Sequence, residues 1–233
     1  MTFGIVVFPG SNCDEDAVYA LKTILKQKVI KLWHKDTSLK GVDFIIIPGG
    51  FSYGDYLRSG AIARFSPIME KIIEFANNGG YVLGICNGFQ ILCEANLLPG
   101  TLIRNKNHNF ICKNIFLKPQ YNNTIITENL SSKDILKIPI AHAEGCYYAD
   151  EKKIQTIIDN KQIIFKYCDQ GGEINKSSNP NGSLKNIAGI CNMKRNVFGM
   201  MPHPERACSE DLYNTDGLKI LKNIIETLQS REK

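Results

Sequence analysis

The sequence predicts an α/β protein: a doubly wound, mostly parallel sheet with helices on both faces and a small antiparallel elaboration. Three observations carry that prediction. Through the first hundred residues, short continuous apolar runs (residues 3–8, 29–33, 44–47 and 81–85) are separated by stretches of helical periodicity, the pattern of strands buried on both faces in βαβ units. Two of the runs end in Pro9-Gly10-Ser11-Asn12 and Pro48-Gly49-Gly50, residues that turn the chain at strand ends. The run 81–85 passes directly into a helix through Gly84-x-Cys86-x-Gly88, a strand-to-helix turn so tight that only glycine leaves room for the crossing backbone.

In chain order, residues 3–8 form the first strand and residues 14–27 a helix whose inner face is Val18, Leu21 and Leu25. Residues 29–33 and 44–47 are the second and third strands. Residues 67–77 open on Pro67, set Ile68, Ile72, Ile73 and Phe75 mostly on one side, and stop at Gly79-Gly80, which predicts a helix. The strand 81–85 and the helix from Asn87 to Glu94 come next. Beyond Pro99-Gly100 the texture changes: residues 102–118 alternate loosely and are rich in Asn and Lys, which predicts antiparallel strands or a subdomain. Pro139-Ile140-Ala141-His142-Ala143-Glu144-Gly145 is a compact patch expected near the sheet's edge. Ile154, Ile157 and Ile158 mark a short helix, residues 163–167 a strand, and residues 171–186 a surface loop. Residues 187–191 and 197–201 read as two strands joined by a turn, and Leu218, Leu221, Ile225 and Leu228 as a final helix covering the sheet. Residues 1–233 are expected to form a single domain, long enough to bury a substantial core.

Composition narrows the function. A net charge of +5 is spread over dispersed lysines with no basic block, so a solvated surface is expected and not a nucleic-acid footprint. No apolar stretch has the ~20 residues needed to span a membrane, and the first residues lack the basic lead of a signal peptide; a cytoplasmic protein is expected. The 8 cysteines are scattered, with no Cys-x-x-Cys pair and no His/Cys cluster at zinc spacing. Free thiols and no metal are therefore expected. No phosphate-binding Gly-x-x-x-x-Gly-Lys-Ser/Thr loop is present.

Cys86 is the candidate nucleophile. At the carboxyl end of a strand, facing the N–H groups of a helix start, its thiolate is favoured, and the Asn87 N–H is offered to an oxyanion forming beside it. A cysteine nucleophile needs a base, to be found among His34, His108, His142 and His203. His203 stands in Met201-Pro202-His203-Pro204-Glu205, directly after an apolar strand. The two prolines predict an extended segment, in which residues two apart share a side, so Glu205 is set to orient His203 as the third member of a triad. The bland alternative is a surface-loop histidine. His34 is expected to cap Asp36, His108 to be solvated, and His142 is a candidate for lining the pocket. Cys93 reads as a buried structural thiol. Cys13 reads as a small capping residue beside the first turn, with nearness to the active site as the alternative.

Gly-Ile-Cys-Asn-Gly-Phe-Gln, the preceding Pro-Gly-Gly loop and the late His-Pro-Glu together resemble the class I (triad-type) glutamine amidotransferases. Phe8-Pro9-Gly10-Ser11-Asn12-Cys13-Asp14, Gly50-Phe51-Ser52-Tyr53-Gly54-Asp55-Tyr56-Leu57-Arg58, Ala141-His142-Ala143-Glu144-Gly145, Asn179-Pro180-Asn181-Gly182-Ser183 and Gly199-Met200-Met201-Pro202-His203-Pro204-Glu205-Arg206 are similar to the separate-subunit bacterial glutaminases of purine synthesis within that family. The resemblance covers essentially the whole chain. It implies a flavodoxin-like fold and hydrolysis of L-glutamine through a thioester on Cys86. It further implies His203 and Glu205 as base and orienter, and Gly50 and Asn87 as oxyanion donors. Gln90 resembles the position that holds the amino acid end of the substrate, with His142 and Glu144 as further candidates. No cofactor is implied in this chain. ATP and Mg belong to a larger synthetase partner, which aminates formylglycinamide ribonucleotide, and a small third subunit is expected beside it. Three rival readings remain: the glutaminase of another synthetase, a cysteine hydrolase of the DJ-1/PfpI type, and a sensor on the same scaffold. The DJ-1/PfpI type typically places histidine after the cysteine, where this chain has Asn87.

Overall fold

The computed structural model describes residues 1–231. Nine of its strands form one sheet. In chain order these are β1 (Thr2–Val7), β2 (Lys28–Trp33), β3 (Phe44–Ile47), β4 (Tyr81–Ile85), β6 (Ile111–Pro119), β7 (Leu136–His142), β9 (Ile163–Cys168), β10 (Ile187–Cys191) and β11 (Val197–Met200), while β5 (Thr101–Ile103) and β8 (Cys146–Tyr148) pair with each other. The order across the large sheet is β2-β1-β3-β4-β11-β10-β9-β6-β7. The first five strands pair in parallel and the next four antiparallel, so that β10 and β6 alone run against the rest. Most of the antiparallel part thus continues the main sheet, and the β5–β8 pair forms a small sheet of its own. The patch at residues 139–145 falls where expected, at the end of the edge strand β7 and in the turn after it.

Burial explains the strand pattern. Every residue of β3, β10 and β11 is buried, whereas the edge strand β2 is exposed at Lys28, Lys31 and Trp33. Continuous apolar runs mark the central strands because both of their faces are covered. The covering helices are α1 (Asp14–Val18), α2 (Pro67–Asn77), α3 (Asn87–Glu94), α4 (Glu151–Asp159) and α5 (Asp216–Arg231). From β1 to β2 the chain moves one way across the sheet, and from β3 to β4 the other. Right-handed crossovers then put α1 and α2 on opposite faces and leave a switch point between β1 and β3, where ligands of open α/β sheets bind. The loops after those strands meet there: the Cys13 N–H donates to the Gly49 carbonyl at 3.3 Å, and Ser11 bridges Gly50.

Two local expectations are corrected. The buried face after β1 is Ala17, Ala20 and Leu21, with Val18 and Leu25 only partly buried. The helix widens into a π-helical segment over Tyr19–Ile24, which shifts the facing residues, and the small Ala20 lets Cys208 and Leu221 of the neighbouring α5 region approach. The segment around His203 is not extended. Pro204–Arg206 is a 3₁₀ turn, because the fixed φ of Pro204 and its missing N–H are both tolerated at a first helical position.

Candidate active site

Glycine lets the elbow form. A Cβ on Gly88 would stand 1.9 Å from the Ile47 carbonyl oxygen, and one on Gly84 2.5 Å from that of Gly88, so α3 leaves β4 in direct backbone contact with its surroundings. Cys86 itself adopts φ 52° and ψ −107°, a conformation that costs a non-glycine residue on the order of 1–3 kcal/mol and marks functional turns. The strain holds the sulfur at the end of the sheet, 3.7 Å from the Ala141 carbonyl of β7.

The 3₁₀ turn after β11 brings His203 over this sulfur. His203 and Glu205 are both buried, and Nδ1 donates to Glu205 Oε1 at 2.6 Å. The turn achieves what an extended segment was expected to do. His203 Nε2 has no hydrogen-bond partner among the described residues, leaving it free to face the nucleophile. Burial works against the imidazolium, but the Glu205 carboxylate, followed by the sulfurs of Cys86 and Cys13, outweighs it and holds His203 well above the usual histidine range.

Three side chains converge on one α-carbon. A Cβ built on Gly49 would lie 2.7 Å from His203 Cε1, 3.1 Å from Cys13 Sγ and 3.3 Å from Cys86 Cβ. Gly49→Ala is therefore expected to push the imidazole off the nucleophile. Any glutaminase activity should fall at least about 100-fold, since a misplacement near 1 Å costs that much, with thermal unfolding little changed. Undiminished activity would show that the imidazole has room to shift.

Cys13 stands at the N-cap of α1 as expected, and it also lies at the active site. Its side chain makes no cap hydrogen bond to α1. Its sulfur is buried beside His203, accepts from Arg206 Nη2 at 3.1 Å and donates to Asn12 Oδ1 at 3.1 Å. Arg206 Nε is held in turn by Asp16 at 2.9 Å. Burial pushes the Cys13 thiol up, against the pull of His203 and Arg206. Cys13, His203 and Glu205 are metal-ligand types within 4.8 Å of one another. The 2.6 Å Nδ1–Oε1 contact is nevertheless a hydrogen bond, shorter than the spacing of over ~3 Å between two tetrahedral zinc ligands.

A cleft of about 80 Å³ lies over the sulfur, lined by Gly50, Phe51, Asp55, Ser59, Gln90 and residues 141–144 with Cys86. Gly50, Gln90, His142 and Glu144 thus meet in one place. Asn87, at the start of α3, has no preceding helical turn to receive its N–H. Its side chain does something the sequence did not disclose: Oδ1 accepts the Ser52 N–H at 3.1 Å and Nδ2 donates to Gln90 Oε1 at 2.9 Å, pinning the loop after β3 to the elbow helix. Gln90 donates to the Glu144 carbonyl at 2.6 Å, and Ser59 donates to the Glu144 carboxylate at 2.8 Å. Asp55, also missed, adds a second carboxylate to the cleft. Burial raises its pKa, the Ser59 hydrogen bond lowers it, and the Glu144 charge raises it again. Two acids at the cleft suit an α-ammonium group. The signal for Asp55 lay in the polar run after Gly50, which spacing alone did not decode.

Of the other histidines, His108 is exposed as expected. His34 does not cap Asp36. It is buried and meets the Tyr53 hydroxyl at 2.7 Å, which also contacts Ser66 at 2.8 Å, so it too anchors the loop after β3. His142 is buried in the cleft, and its pKa falls to about 4 through burial and the charge of His203. A larger cavity of about 510 Å³, lined by residues including Asn77, Leu97, Thr156 and Met193, shares no residue with the cysteine cleft. Among the described residues, no helix is long and apolar enough to cross a membrane.

Fold and site define the class: a doubly wound sheet with a strained elbow cysteine and a buried His–Glu pair at its switch point, the arrangement of a thiol-dependent amidotransferase. Residues 2–217 match the model of the CobB/CobQ-like glutamine amidotransferase domain, and the chain belongs to that family. Within it, the chain is 54% identical to phosphoribosylformylglycinamidine synthase subunit PurQ of Moorella thermoacetica over 100% of this chain and 99% of that one. It is 55% identical to the protein of the same name from Synechocystis, over 93% and 97%. The structure of PurLQS from Thermotoga maritima contains a chain that superposes with a TM-score of 0.85 at 39% identity, covering 97% of this chain and 98% of that one. A glutamine amidotransferase from Thermotoga maritima shares the fold, with a TM-score of 0.55 at 16% identity over 99% of this chain and 83% of that one.

Proposed function

We propose that this chain is the glutaminase subunit of a phosphoribosylformylglycinamidine synthase. Full-length similarity to subunits of that name supports the assignment. The observation that carries the chemistry is the convergence of Cys86 and His203 on Gly49, with Glu205 behind the imidazole. In this reading the Cys86 thiolate attacks the side-chain amide carbon of glutamine. The tetrahedral oxyanion takes hydrogen bonds from the N–H groups of Gly50 and Asn87, each worth about 2.7–4 kcal/mol in the barrier. The imidazolium of His203 gives its Nε2 proton to the departing nitrogen, ammonia leaves, and a glutamyl thioester remains. Neutral His203 then takes a proton from water, which attacks the thioester; glutamate departs and the thiol is restored. Asp55 and Glu144 hold the substrate's ammonium end. No cofactor takes part on this chain. The ammonia passes, in the cytoplasm, to a PurL-type synthetase that binds ATP, Mg and the ribonucleotide, with a small PurS-type subunit in the complex.

The isolated chain is expected to be nearly idle and to wake on docking. Its cleft of about 80 Å³ is far below the ~300–1,000 Å³ of ordinary ligand sites. The loop that roofs it carries positive φ at Tyr53, Asp55 and Leu57 and exposes Phe51, Tyr56 and Leu57, a strained apolar surface beside the nucleophile. Glutamate formation measured with and without the synthetase tests both points. A rise of at least about tenfold on adding the partner is expected, and full activity unchanged by the partner would contradict it.

A further inference from the structure

Asn105 settles which nitrogen of His142 carries the proton. Buried between strands, its Nδ2 donates to the Asn109 carbonyl at 2.9 Å and the His142 carbonyl at 2.8 Å, and its Oδ1 accepts the Gly145 N–H at 3.1 Å. The same oxygen lies 3.1 Å from His142 Nδ1. An amide oxygen only accepts, so Nδ1 bears the hydrogen and Nε2 a bare lone pair. The ring lies directly against Gly145, where a Cβ would sit 2.3–2.6 Å from Cε1, Nδ1 and Nε2, so only glycine leaves room for it. Nε2 is buried and has no hydrogen-bond partner among the described residues, although the ring lines the cleft that holds Cys86. A buried acceptor with no partner on the protein is costly unless a donor is brought to it.

Building on the glutaminase reading, we infer that His142 offers its Nε2 lone pair to the carboxamide NH₂ of glutamine and so selects the amide substrate against the carboxylate product. Glutamine supplies an N–H to that lone pair. The side-chain carboxylate of glutamate supplies none, and its oxygens meet the lone pair with like polarity. The titratable groups that share the cleft with this ring are Asp55, Cys86 and Glu144, and burial, with the charge of His203, keeps His142 neutral well below physiological pH. His142 is thus a specificity residue, with Asn105 and Gly145 positioning it.

The test compares KM for L-glutamine and Ki for L-glutamate in the assembled complex for wild type, His142→Leu and His142→Gln, with thermal unfolding of each. In His142→Leu the ratio of Ki for glutamate to KM for glutamine is expected to fall about 10- to 100-fold. In His142→Gln the side-chain carbonyl stands in for the lone pair and should restore part of the preference. An unchanged ratio, or equal weakening of both ligands, would overturn the inference, because packing alone would then explain the residue. Should His142→Leu fail to fold, Asn105→Ala must show the same loss of preference by freeing the tautomer, and retained preference there refutes it. A wild-type complex that turns over no glutamine would strike the glutaminase reading itself, a result distinct from any change of ratio among the variants.

Discussion

Cys86→Ala is expected to abolish glutamine hydrolysis, by at least about 10⁴-fold, while the chain folds and unfolds much as the wild type does. The triad acts as a unit, so removing its nucleophile forfeits nearly all of the chemical acceleration. Alanine keeps the Cβ and with it the strained φ of 52° at this position. Cys86→Gly separates the two properties. It loses the same chemistry but relieves a strain on the order of 1–3 kcal/mol, less the entropy that glycine adds to the unfolded chain, so its unfolding temperature should sit at or above that of Cys86→Ala. Normal turnover in Cys86→Ala would end the assignment of the nucleophile. A glutamine-like electrophile should label Cys86 in the wild type, and labelling at Cys13 instead would move the nucleophile to the second sulfur.

Glu205→Gln is expected to lower kcat/KM for glutamine by about 10³–10⁴-fold, comparable to loss of the carboxylate in other triads. The amide preserves size and can still accept from His203 Nδ1, so what is removed is charge. In the wild type that charge is the leading influence that raises His203 above its ordinary value against the opposing effect of burial. Cys86 and Cys13 add to it, while Arg206 stands beyond Cys13. Without Glu205 burial prevails, the imidazole is neutral near pH 7, and no proton is ready for the departing ammonia. The alkaline limb of the pH–rate profile should therefore shift to lower pH in the variant. Stability should shift consistently. A folded pKa raised above the unfolded value of about 6.5 stabilises fully below that pH and is lost as pH rises through the folded value. The wild type should lose this contribution on the alkaline side of neutrality, and Glu205→Gln should show little of it. Identical pH profiles of rate and stability in the two proteins would mean that Glu205 does not set the charge of His203.

Elements that report their own burial were legible in the residues alone. Apolar runs at β1, β3 and β4 lie in the covered middle of the sheet, and a strand buried on both faces must be apolar throughout. The elbow could be read for a similar reason: backbone crossing backbone forces glycine at Gly84 and Gly88 whatever the rest of the chain does. Residue order also put Glu205 beside His203, two positions apart, though through the wrong local geometry. Out of reach were contacts between segments distant in sequence. Cys13 meets Arg206, His34 meets Tyr53, and Asn105 fixes His142 across gaps that no periodicity spans. The continuation of the antiparallel strands into the main sheet was likewise set only when β11 paired with β4 and β6 with β9. Local rules bind residues a turn or a strand apart. Which side chains share a cleft is decided by the order of strands across the sheet, and that order is a property of the assembled fold.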